Sequence, residues 1–89
     1  MLRDNLLERL EYVIRKGVAT SDGAHPISAE VVRNLMVKVP KEEWGRDDSY
    51  LKCTLLLEKL DCVIRDGTVA SDGTHLISAE VVRDILVKS

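Results

Sequence analysis

Two short stretches of the chain place an aspartate, a histidine and a serine close together, and these residue types can act in nucleophilic catalysis. The residues are Asp22, His25 and Ser28 in SDGAHPIS, and Asp72, His75 and Ser78 in SDGTHLIS. A hydrolase needs the serine beside a histidine that acts as base, and an acid that orients the histidine. Both serines instead stand directly before Ala-Glu-Val-Val, a position typical of a helix N-cap. The sequence therefore predicts that the protein is not an enzyme.

The same stretches raise the question of a calcium site. The letters DGTHLISAE resemble the end of an EF-hand loop, but the ligand positions do not match. With Gly73 at the sixth position, the first and twelfth positions fall on Thr68 and Ala79. Calcium requires several converging carboxylates and a bidentate acid that closes the site. The sequence predicts no calcium binding.

Zinc is the second metal that the residue types suggest, because the chain has two cysteines and two histidines. Their order is His25, Cys53, Cys62 and His75, without the short spacings that preorganise a tetrahedral site. The cysteines have no counterparts in the first half of the chain and are interpreted as small apolar residues. A site shared by the two histidines and the two SDG aspartates would require the loops to meet. We expect no metal and no cofactor.

The SDG stretches belong to a longer internal repeat. Residues 6–38 align with residues 56–88, and 21 of the 33 aligned pairs are identical. Such a repeat indicates a duplicated supersecondary unit. We divide the single domain, residues 1–89, into a first copy (1–39), a linker (40–49) and a second copy (50–89). Two copies in one small domain are expected to pack about a pseudo-two-fold axis.

Each copy has the pattern of a helix, a structured loop and a second helix. Leu6, Leu10 and Val13 recur at the spacing of one helix face, and the second copy repeats them. Gly17 and Gly67 follow these runs as C-terminal signals. Asp-Gly between short β-tolerant segments is a hairpin signal. The predicted fold class is mainly α, with four helices in two pseudo-symmetric helix–loop–helix repeats and at most very short β-hairpins in the SDG loops.

The charge is balanced along the whole chain. The net charge is −2, from 13 basic and 15 acidic residues, and no segment has the one-signed field that binding to phosphates demands. The alternative function is a helix-turn-helix-like DNA-binding regulator, with recognition helices that carry Arg33 and Arg83. The loop between the predicted helices is too long for that motif, and Glu30 and Glu80 stand where the helix would approach phosphates. Nucleic-acid binding is therefore disfavoured.

The leading functional prediction is a small protein–protein interaction module, a regulator or inhibitor that occludes its partner. Four short amphipathic helices seldom bury all their apolar surface, and a homodimer is a simple way to cover what is left. We expect Leu2, Met36, Val39, Trp44 and Tyr50 to extend over the edge of the core. The candidate binding residues are Asp22, His25, Arg33, Asp72, His75 and Arg83, with Trp44 in the linker.

Nothing in the sequence predicts a membrane protein. The chain has no apolar run near the roughly 18 residues that a membrane span needs, and its first residues carry Asp4 and Glu8 within the apolar pattern, unlike a signal peptide. We expect a cytoplasmic protein.

Overall fold

In a computed structural model, which describes residues 2–67 and 69–87, the chain folds mainly into helices. The elements in chain order are α1 (Leu2–Lys16), β1 (Pro26–Ser28), α2 (Ala29–Val37), a 3-10 helix (Lys41–Glu43), α3 (Asp48–Asp66), β2 (Leu76–Ser78) and α4 (Ala79–Val87). The predicted mainly α fold is confirmed, with four α-helices in the described ranges.

The first helix of each copy packs against the second helix of the other copy. Helix α1 contacts α4, α2 contacts α3, and α3 also contacts α4. The leucines that recur four residues apart, such as Leu6 and Leu10 in α1 or Leu56 and Leu60 in α3, point into one buried cluster. The core is therefore shared between the copies, although their pseudo-symmetry as whole units stays a prediction.

The glycines that end α1 and α3 act through their lack of a side chain. Neither Gly17 nor Gly67 has a positive φ, and φ of Gly67 is −83°. A Cβ atom added at Gly67 would lie 2.5 Å from the carbonyl oxygen of Val63. A larger residue at this position would have to displace the last turn of the helix.

The two short strands pair with each other rather than within the loops. Strands β1 and β2 are antiparallel, with Ile27 opposite Ile77. Within the described residues, the SDG loops contribute only an isolated bridge between Val69 and His75. Each SDG loop is thus a turn with at most a very short ladder, as expected, and the pairing of β1 with β2 across the copies is the feature that the sequence did not predict. A lone hairpin with such short strands is marginal, whereas pairing across the copies joins loops that the helices already hold together.

The linker packs on the core through its tryptophan. Trp44 is only 2% exposed, and its Nε1 donates a hydrogen bond to the carbonyl oxygen of Val39 at 3.1 Å. The ring of Tyr50 lies 5.9 Å from the Trp44 ring, centroid to centroid. Helix α3 begins at Asp48, inside the predicted linker.

Candidate functional site

Both SDG aspartates stabilise the turns in which they stand. Asp22 accepts hydrogen bonds from the Thr20 hydroxyl and from the Ala24 amide, and Asp72 accepts equivalent bonds from the hydroxyl and amide of Thr74. These bonds, the threonine hydroxyl first, hold the pKa of each carboxyl below its usual value. The glycine after each aspartate has a positive φ, as the turn requires. The repeated Asp-Gly pair is thus explained by the turn.

Each SDG histidine is bound to a glutamate of the other copy. The His25 amide donates to Oε1 of Glu80 at 3.0 Å, and its Nδ1 lies 2.6 Å from Oε2 of the same carboxylate. His75 makes the same two contacts with Glu30, at 2.9 and 2.6 Å. An ionised carboxylate can only accept hydrogen bonds, so Nδ1 of each histidine is the donor. We call these two histidine–glutamate pairs the cross-copy clamps.

The cross-copy clamps keep both carboxylates ionised well into acid. Hydrogen bonds from the His75 amide, and then from its side chain, lower the pKa of Glu30 to about 2. The corresponding bonds from His25 lower the pKa of Glu80 to about 2. The backbone adds two further links, because the Ala29 amide donates to the His75 carbonyl and the Ala79 amide donates to the His25 carbonyl. Together, the clamps and these backbone bonds tie the loop of each copy to the start of the second helix in the other copy.

The serines of the SDG stretches are helix caps, as predicted. Ser28 Oγ accepts from the Val31 amide at 3.2 Å, and Ser78 Oγ accepts from the Val81 amide at 3.3 Å. The Nδ1 atom of each histidine contacts a glutamate and not a serine. This geometry supports structural roles for the aspartate, histidine and serine of both stretches.

The remaining predicted binding residues lie on the helices and in the linker. Arg33, on α2, donates from Nε to Oδ1 of Asp61 on α3 at 2.8 Å. Arg83 lies on α4 and is half-buried. Trp44 belongs to the core. The structure therefore gathers Asp22, His25 and their counterparts in the second copy around the paired strands, whereas Arg33 pairs with α3 and Trp44 packs in the core.

An apolar groove between α3 and α4 is the surface that sequence reasoning missed. It encloses about 490 Å³ and is lined by Asp48, Leu51, Lys52, Leu55, Val81, Asp84 and Ile85. Leu51 is 55% exposed, Leu55 48% and Val81 41%. The only sequence signal for this groove is that the apolar pattern of α3 begins earlier than that of α1.

The residues predicted to extend over the core edge are mostly inside it. Leu2, Met36 and Trp44 are buried, and Val39 is partly buried against the core. Tyr50 is the exception, because it is exposed on α3, although it does not line the groove. The prediction of exposed apolar surface was thus placed largely on the wrong residues.

The described residues contain no group of three or more histidine, cysteine, aspartate or glutamate side chains placed to hold a metal ion. Cys53 is buried, and burial raises the pKa of its thiol. Cys62 is exposed, so of the two cysteines only Cys53 contributes to the core. Both thiols are free.

Comparison of the chain with protein-family models, curated proteins and solved structures finds no match. Across residues 2–67 and 69–87, no helix is long and apolar enough to cross a membrane. The functional conclusion therefore depends on the geometry of the described residues.

Proposed function

We propose that the protein is a small, non-enzymatic interaction module, and that its α3–α4 groove binds an amphipathic helix of another protein chain. The observation that carries the proposal is the exposure of Leu51, Leu55 and Val81 on one concave surface. Contiguous apolar surface of this kind is typical of interaction sites, whereas single exposed apolar residues are common and need no explanation.

The shape of the groove favours a helical ligand. A helix docks into an apolar groove with side chains spaced three or four residues apart. The apolar side chains on the walls, which are the helices α3 and α4, have the same spacing. Asp48 and Lys52 lie on the rim and supply charges of both signs that fix the orientation of the ligand. By covering the apolar face of its partner, such a module acts as a regulator or inhibitor through occlusion.

The other surfaces have less support as binding sites. The histidines of the SDG loops are engaged in the cross-copy clamps, and the aspartates are engaged in their own turns. For the DNA-binding alternative, Arg33 is paired with Asp61, and residues 17–28 separate α1 from α2, far more than a helix-turn-helix motif uses. No specific observation favours either alternative over the groove.

We also propose a cytoplasmic location. The two cysteines are unpaired, and Cys62 exposes its thiol. Free exposed thiols are typical of proteins in reducing compartments, since oxidising ones favour disulfides.

The test of the proposed function is affinity capture with matched baits. Tagged wild-type protein, Leu55→Glu and Val37→Glu would each be used to capture proteins from the cells in which the chain occurs, with mass spectrometry as the readout. Val37 is 53% exposed on α2 and does not line the groove, so its variant controls for an added surface charge. We expect a protein that the wild type and Val37→Glu recover and Leu55→Glu loses. Equal recovery of every protein by all three baits overturns the proposal.

A further inference from the structure

We propose that a second copy of this chain occupies the α3–α4 groove, so that two protomers pair through their α3 and α4 helices in a closed dimer. The inference rests on the proposed function of the groove and names the helix that the groove accepts. That helix is the first half of α3 of the second protomer.

The first half of α3 carries exposed apolar side chains of the kind that the apolar groove of a second protomer can accept. Leu51 and Leu55 are spaced four residues apart on one helix face and are about half exposed. Val81 and Ile85 line the α4 side of the groove with the same spacing. In a two-fold arrangement a patch meets its own copy, so each protomer supplies a ridge of leucines and receives the ridge of the other. Four helices, two from each protomer, then enclose the apolar side chains.

The charges on the rim suit pairing with an identical surface. A rim of one sign would repel its own copy, but this rim carries Lys52 together with Asp48 and Asp84. Within the described residues, neither Lys52 nor Asp48 forms an ion pair in its own chain. A two-fold arrangement brings Lys52 of each protomer to a rim where the other protomer carries Asp48 and Asp84. The net charge of −2 opposes the approach of two chains only weakly.

The first copy does not repeat this surface, and that favours a closed dimer over a growing chain of protomers. Asn5 stands where the second copy has Leu55, and Asn34 stands where it has Asp84. The groove between α1 and α2 lies further along the helix and encloses about 210 Å³. A single self-complementary face per protomer closes after two chains have met.

The test measures self-association directly. Sedimentation equilibrium of the full chain, from low micromolar to near-millimolar concentration, is expected to show the mass rise from the 10.0 kDa of one chain towards twice that value. Leu55→Glu is expected to raise the dimer dissociation constant at least about tenfold, because it puts a charge in place of a leucine that the second protomer would cover. Val37→Glu is expected to leave the constant unchanged.

A charge exchange tests the contribution of the rim. Lys52→Asp is expected to weaken the dimer roughly two- to fivefold, as for a rim ion pair, because it leaves only acidic groups on both rims. The double variant Asp48→Lys with Lys52→Asp restores charges of both signs and is expected to recover the wild-type constant. Failure of this recovery, with Leu55→Glu still disruptive, overturns the pairing of rim charges across the two-fold axis.

The outcomes separate this inference from the proposed function. A monomer at every concentration, or a dimer that Leu55→Glu does not weaken, overturns the pairing of two copies through the groove. A groove-dependent protein in the capture experiment would then still support the interaction module. A dimer that Leu55→Glu abolishes supports the inference whether or not another protein is captured.

Discussion

The junction between the two copies and the α3–α4 groove are built from different kinds of positions. Residues that are identical in the two copies form the junction, including the histidines and glutamates of the cross-copy clamps and the facing Ile27 and Ile77. The groove instead depends on Leu51 and Leu55, which have no identical counterpart in the first copy. In this molecule, repeated residues hold the copies together, and two leucines that the first copy lacks join the repeated Val81 in the exposed apolar surface.

The electrostatics of the two regions differ in the same way. At the junction, each glutamate accepts two hydrogen bonds from one histidine, so its polar atoms are used within the chain. At the groove, apolar side chains remain half exposed beside charges that form no ion pair in the described part of the chain, Asp48 and Lys52. The first arrangement stabilises the monomer, and the second is suited to contact with another chain.

The largest expected difference in the free energy of unfolding is between alanine substitutions at two neighbouring residues of α3. Leu56 is fully buried, whereas Leu55 faces the groove. Leu56→Ala is expected to lower the free energy of unfolding by about 2–5 kcal/mol, because it leaves a cavity in the core. Leu55→Ala is expected to change it by no more than about 0.5 kcal/mol. Urea denaturation at low protein concentration measures both, and equal losses would contradict the assignment of Leu55 to a surface.

The next effect tests whether the two halves of the junction are equivalent. His25→Ala and His75→Ala each remove one Nδ1 hydrogen bond of 2.6 Å and keep the backbone bond to the same glutamate. We expect equal falls in Tm, each smaller than that of Leu56→Ala, and a double variant that loses about the sum of the two. Thermal unfolding followed by circular dichroism measures them, with Val18→Ala in the exposed loop as the control. Unchanged Tm values would show that the clamps do not stabilise the fold.

The smallest effect is a dependence of stability on acid. Glu30 and Glu80 have a pKa of about 2 in the folded chain, against a usual value of 4.5. Between these values the unfolded chain binds protons that the folded chain does not, so stability is full above about pH 4.5 and is lost as the pH falls towards 2. Glu30→Gln with Glu80→Gln is expected to lower Tm at pH 7 and to flatten this decline.

The measurement is Tm as a function of pH from 7 to 2 for the wild type and the double glutamine variant. Glu42→Gln with Glu43→Gln, at two exposed positions of the linker, controls for the loss of two negative charges. A decline of the same steepness in the wild type and the double variant would show that other carboxylates cause the acid sensitivity.

Much of the fold could be predicted from the sequence, because its signals are local. Apolar residues three and four apart specified the helices, the glycines at 17 and 67 marked the ends of α1 and α3, and Ser28 and Ser78 marked the starts of α2 and α4. The aspartates before Gly23 and Gly73 indicated the turns. Each of these signals acts through backbone geometry within a few residues, so no knowledge of the other copy was needed.

The candidate site could be predicted much less well. His25 and His75 stand out in the sequence as repeated polar residues, but their partners lie 55 and 45 residues away, on α4 and α2. Leu51 and Leu55 fit the apolar pattern of a helix, and the pattern does not say which side of the helix the other copy covers. The exposure of Leu55 and the burial of Leu56 follow only from the placement of α4 against α3.

The sequence by itself determined the duplication, the helices and the turns, because these depend on the order of neighbouring residues. Only the tertiary structure decided that β1 pairs with β2, that each histidine binds the glutamate of the other copy, and that a groove stays open between α3 and α4. The physical reason is that burial and hydrogen bonding between distant segments depend on how the helices pack. That packing is a property of the whole chain and not of either repeat alone.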